Sequence, residues 1–177
     1  MAKKKSNLDL SKLNGGSPPG ISPALGQFAA EAAGVLLEHN KHKAGVEMRV
    51  LASAPTRYEI SWAGLHASAR TTHKDLPAAV EYGAYGIAFL LVEEFTTLKV
   101  IERSAKKTGI DYWLGTGKEP LFQATARLEV SGIVNGEDKV DERVKDKMKQ
   151  SDRSKGKLPA FIAVVEFGQP MCVFKKR

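Results

Sequence analysis

Two acidic residues lie inside apolar stretches, where a carboxylate is costly to hold. Asp111 falls in Thr108-Gly109-Ile110-Asp111-Tyr112-Trp113-Leu114, and Glu129 in Ala126-Arg127-Leu128-Glu129-Val130-Ser131. An ionised carboxylate in such surroundings is solvated on an open face, paired with a cation, or bound to a metal. Both segments read as strands, and successive strand side chains alternate faces. Arg127, Glu129 and Ser131 therefore share one face, while Leu128 and Val130 take the other. If the two strands are neighbours, Asp111 and Glu129 converge. Two carboxylates at one point repel unless an arginine or a divalent cation stands between them. Magnesium takes oxygen ligands, commonly one or two carboxylates plus water and substrate phosphate. It makes a bound water more acidic and neutralises a leaving phosphate oxygen. A purely structural alternative uses the same residues. In it Asp111 caps a turn beside Gly109, and Glu129 forms a partly exposed ion pair with Arg103 or with a neighbour of Arg127. Such pairs contribute little.

The elements that must position these acids can be read from the chain. Ser22 and Pro23 mark a helix start, and Leu25, Phe28, Ala29, Ala32, Val35 and Leu36 recur at helical spacing up to His39-Asn40. Val46–Leu51 and Arg57–Trp62 form a hairpin about Ala54-Pro55-Thr56. A polar connection over 64–75 holds His66 and His73. A long helix follows from about Leu76 to Phe95, with Asp75 as cap and Pro77 in its first turn. Its second half, Ile87-Ala88-Phe89-Leu90-Leu91-Val92, is apolar almost all round, so it is a central buried helix. Gly83 and Gly86 within it imply close packing, expected against a sheet. Strands are expected over Leu98–Arg103, Ile110–Leu114 and about Phe122–Ile133. A charged helix over Glu137–Gln150 and strands at Ala160–Phe167 and Met171–Phe174 complete the chain. The fold class is α+β: a central mixed β-sheet flanked by helices, with an α-β-β-β-α-β core preceded by a helix and a β-hairpin. Residues 22–177 read as a single domain. Residues 1–21, rich in Lys, Ser, Gly and Pro, read as a flexible basic tail.

From about residue 76 to 174 this chain resembles the PD-(D/E)XK nuclease superfamily. The resemblance rests on the element order and on a Gly-x-Asp on one strand followed by a Glu-x-x on the next. It implies that Asp111 is the motif aspartate and Glu129 the motif glutamate, both metal ligands for Mg2+ or Mn2+. It also implies that Glu81 is the acid many members carry in the preceding helix. The pattern departs at one place. The superfamily puts a lysine two residues after the glutamate to position or activate the attacking water, and here stands Ser131. Either another cation serves, Arg127 on the same face or Lys147 on the next helix, or the site is degenerate and the domain only binds. The implied activity is divalent-metal-dependent hydrolysis of DNA or RNA. The alternative is a nucleic-acid- or protein-binding subunit of a larger defence or repair complex.

Charge agrees with an anionic partner. The 177 residues carry a formal net charge of +7 and a pI near 9.5, which favours nucleic acid first, although solubility alone explains it equally well. Lys139, Arg143 and Lys147 line one face of the charged helix. With Arg153, Lys155 and Lys157 beyond it they form a basic edge along which a phosphate backbone could lie. Asp138, Asp141, Glu142 and Asp146 offset much of that charge. The other features point to no further chemistry. His39, His42, His66 and His73 lack zinc-site spacing. Gly115-Thr116-Gly117-Lys118 lacks the phosphate-loop spacing and reads as a turn. Tyr112 and Trp113 are suited to stacking on bases, or to packing in the core. The single cysteine, Cys172, reads as a buried thiol. No membrane-spanning run or secretory signal is expected, which makes the cytoplasm the default location.

Overall fold

The computed structural model describes residues 6–16, 18–105, 108–118, 123–153 and 158–177, with the side chains of 152 and 153 excepted. The fold is α+β, a mixed eight-stranded sheet covered by helices on both faces. Its strands are β1 (Ser6–Asp9), β2 (Val46–Leu51), β3 (Pro55–Ser61), β4 (Lys99–Arg103), β5 (Tyr112–Gly115), β6 (Ala126–Ile133), β7 (Ala160–Glu166) and β8 (Met171–Lys176). They lie in the order β1-β3-β2-β8-β7-β6-β5-β4. The helices are α1 (Pro23–His39), the short α2 (Ala67–Thr72), α3 (Leu76–Phe95) and α4 (Val140–Arg153).

The half of the sheet that carries Asp111 and Glu129 is an antiparallel meander of β4, β5 and β6. The chain then crosses through α4 and returns as β7, parallel to β6. Strand β8 turns back antiparallel and joins this half to the β2–β3 hairpin. Alternation along β6 divides its side chains as period-two geometry requires. Leu128 and Val130 enter the large core beneath α1 and α3, whereas Ile133 joins the smaller core that Val140 and Val144 of α4 make with Ile162 and Val164.

Ser22 caps α1 through its side chain, accepting from the Leu25 N–H, and Pro23 takes the first position. Asp75 occupies the cap position of α3 without a side-chain cap bond. Two expectations are corrected. Gly83 and Gly86 approach helix α1 rather than the sheet: a Cβ at Gly83 would stand 2.8 Å from a Leu36 methyl, and one at Gly86 would stand 3.1 Å from the Ala29 carbonyl oxygen. The two helices thus pack backbone to backbone. The N-terminal segment is not a tail from Ser6 onward. Strand β1 pairs parallel with β3, a 3-10 turn spans Leu10–Gly15, and Leu8, Leu10, Leu13 and Ile21 are all buried. The apolar residues are sparse there, but each one is inserted, so composition concealed the packing. Lys3–Lys5 lie outside the described residues.

Candidate functional site

Asp111 stands one residue before β5, at the end of the meander. Its N–H donates to the Leu128 carbonyl at 3.0 Å, and its Oδ2 accepts from the Val130 N–H at 2.7 Å. These two bonds bracket Glu129, so backbone pairing brings the two acids together. Glu129 is 1% exposed. Its Oε1 accepts from the Lys147 ammonium of α4, while its Oε2 is buried without a hydrogen-bond partner among the described residues. Burial first, and then the negative charge of Asp111, push the Glu129 carboxyl up to about 7. Lys147 opposes both.

The α4 side of the site is a row of contacts at strand spacing. Lys147 meets Glu129, and Arg143 Nη1 donates to the Ser131 hydroxyl at 3.1 Å. Arg127, the other sequence candidate for a cation here, is engaged elsewhere. Its Nε donates to the Leu158 carbonyl at 2.9 Å and its Nη1 to the Ser151 carbonyl at 3.2 Å, which ties β6 to the end of α4 and the start of β7. On the expected basic edge, Arg143 stays exposed while bonding Ser131, Lys147 is half-buried against Glu129, and Lys139 is exposed near the start of the helix. Arg153, as a side chain, and Lys155 and Lys157 lie outside the described residues. A lysine at position 131 would point at the Arg143 guanidinium, and this like-charge contact gives a physical reason for the serine.

The α3 side is built from hydroxyls and aromatic rings. The Tyr85 hydroxyl lies 2.9 Å from Glu81 Oε1 and 3.1 Å from Asp111 Oδ1, with a single proton to donate between them. Glu81 thus reaches Asp111 through Tyr85. Burial, reinforced by Asp111 and Glu81, pushes the Tyr85 phenol far up, so it stays protonated. Tyr112 is fully buried against Tyr85 and Phe89, which removes it as a base-stacking platform. Trp113 is half-buried on the other side.

The donor set fits a hard divalent cation better than zinc. Two carboxylates are at hand, one with an unpartnered buried oxygen, and magnesium is commonly held by one or two carboxylates. Among the described residues no group of three His, Cys, Asp or Glu side chains forms a closed cage. Three of the four histidines have other partners. His42 binds the Gly168 carbonyl, His66 caps α2, and His73 pairs with Glu31. Sequence reasoning passed over one buried acid. Glu166 is buried, and its carboxylate accepts the N–H groups of Gly136, Gly168 and Gln169, a structural role. Arg103 lies over Tyr85 and Tyr112 instead of pairing with Glu129. Among the described residues one helix, α3, is long and apolar enough to cross a membrane, and most of it is buried inside the fold. No family model, curated protein or solved structure matches the chain.

Proposed function

We propose that this chain is a divalent-metal-dependent phosphodiesterase acting on DNA or RNA. The observation that carries this reading is the Lys147–Glu129 contact. Lys147, one of the cations that could serve in place of the absent motif lysine, reaches the Glu129 carboxylate from helix α4, which supports this reading. The β4–β5–β6 meander followed by α4 and a parallel β7 supports the resemblance that suggests the activity. Asp111 and Glu129, through its unpartnered Oε2, would hold a magnesium or manganese ion. The ion would supply a more acidic water and charge neutralisation at the phosphate. Lys147 would hold Glu129 in place and present a positive charge beside the phosphodiester. Tyr85 meets one oxygen of the Asp111 carboxylate while the Val130 N–H binds the other.

The test is cleavage of labelled single- and double-stranded DNA and RNA in magnesium, manganese or EDTA, beside Glu129→Ala. The reading expects cleavage that needs metal and disappears in the variant. Wild-type protein that never cleaves under any of these conditions rejects it. A second reading, a degenerate domain that binds nucleic acid or a protein partner, is favoured by the burial of Glu129 at 1% exposure. A gel shift without cleavage is its expected result.

A further inference from the structure

Arg103 ends strand β4, and period-two alternation would set it on the face opposite Val100's neighbour Glu102, away from α3. The β4–β5 register contradicts that assignment. Val100 pairs with Leu114, but Glu102 pairs with Trp113 and Arg103 with Tyr112, with an irregularity between Val100 and Glu102 that leaves Ile101 as the extra residue. Such a bulge re-aims the side chains beyond it. Arg103 is thereby carried to the α3 side, where its guanidinium carbon lies 5.5 Å from the Tyr85 ring centre and 5.6 Å from that of Tyr112. Cation–π attraction holds a guanidinium at such distances.

Three observations make this arginine more than a packing residue. Its side chain is 50% exposed, although it rests on two buried or largely buried rings. Tyr82 accepts a hydrogen bond from the guanidinium, but the nearest carboxylate oxygen, Glu81 Oε1, lies 3.7 Å away, beyond hydrogen-bond length, so the planar fork of donors is not consumed by a bidentate ion pair. Finally, Arg103 and Asp111 stand at the same end of the ladder. Arg103 faces Tyr112, the Ser104 N–H donates to the Asp111 carbonyl at 2.9 Å, and Tyr85 touches both Arg103 and Asp111. The Tyr112 hydroxyl beneath it is buried and without a partner among the described residues.

We propose that Arg103 binds a backbone phosphate of the nucleic acid beside the Asp111–Glu129 pair. The choice of ligand rests on the reading given above. Arginine suits the task because its fork matches two phosphate oxygens at once, and the rings beneath reduce the rotamer freedom lost on binding.

The experiment is a fluorescence-anisotropy titration of labelled 20-nucleotide single- and double-stranded DNA and RNA. It is done in EDTA over a range of salt with wild-type protein, Arg103→Gln and Arg103→Lys. Arg103→Gln is expected to weaken binding about five- to tenfold and to lower the slope of log K against log salt by about one phosphate contact. Arg103→Lys, which keeps the charge and loses the fork, is expected to keep the slope and lose about two- to threefold in affinity. Should Arg103→Gln fail to fold, Arg103→Lys decides alone. Unchanged affinity and slope in the variants overturn the proposal, as does wild-type protein that binds none of the probes. The two readings fail separately. Metal-dependent cleavage with unchanged binding in Arg103→Gln removes the Arg103 role and keeps the enzyme. Arginine-dependent binding without any cleavage removes the enzyme and keeps the phosphate contact.

Discussion

At the scale of single residues, the site is governed by where Glu129 keeps its proton. Its carboxyl titrates near 7 in the fold, against about 4.5 in a solvated chain. An acid whose pKa is raised by folding contributes its full stability below the unfolded value and loses it as pH climbs through the folded value. Wild-type protein without metal should therefore lose stability between about pH 4.5 and 7 through this one group, an effect on the order of 3 kcal/mol at most. Lys147→Met sharpens the prediction. Near pH 5 Glu129 is largely neutral, so loss of the ammonium costs little. At pH 8 it leaves a buried carboxylate facing Asp111 with no cation, a defect worth about 3 kcal/mol or more. Urea unfolding in EDTA at both pH values checks this, and equal destabilisation of Lys147→Met at pH 5 and pH 8 would contradict it. Asp111, Glu129 and the Lys147 candidate were legible because acids embedded in apolar runs are conspicuous. The bulge that turns Arg103 leaves no mark in the sequence, since Val100-Ile101-Glu102-Arg103 reads equally well as an unbroken strand.

At the scale of elements, the site depends on how closely β6 lies against α3. Gly132 follows Ser131 on β6, and a Cβ there would stand 2.4 Å from the Val80 carbonyl oxygen and 2.8 Å from a Val80 methyl. Backbone cannot withdraw as a flexible side chain can, so the strand and helix must separate. Gly132→Ala should then cost about 2 kcal/mol or more by overpacking, a fall in melting temperature of roughly 4–8 °C for a chain this size. Because Tyr85 holds Asp111 from α3 while β6 carries Glu129, the same shift should weaken any metal-dependent activity beyond the loss of stability. Thermal melts followed by assays well below the melting point separate the two effects. An alanine variant that melts with the wild type would show that the contact is looser than this geometry. The sequence disclosed α3, with its apolar second half, and the alternation of β6. It did not disclose that α1, and not the sheet, meets Gly83 and Gly86, because a helix glycine signals close approach without naming the partner.

At the scale of the whole molecule, the order of elements from Leu76 onward was readable because each carries its own periodicity, and the core helix and meander follow from it. What lay beyond reach was the packing of residues 6–15. Their serines, asparagines and lysine resemble a solvated segment, and a 3-10 turn offers no helical period to find. Yet Leu10 and Leu13 are at most 1% exposed, and a Cβ on Gly26 of α1 would lie 2.0 Å from the Leu13 carbonyl oxygen. The segment therefore covers one flank of α1 while β1 extends the sheet beside β3. A tail would contribute nothing to stability, whereas this arrangement must. Leu13→Ala should cost about 3 kcal/mol as a core truncation, which corresponds to a melting temperature lowered by roughly 6–12 °C. Removal of residues 1–15 should cost more, because it uncovers Ile60 and the adjoining face of α1 together. Far-UV circular dichroism melts of the two variants against the full chain measure this, and coincident melting of all three would return the segment to the status of a tail.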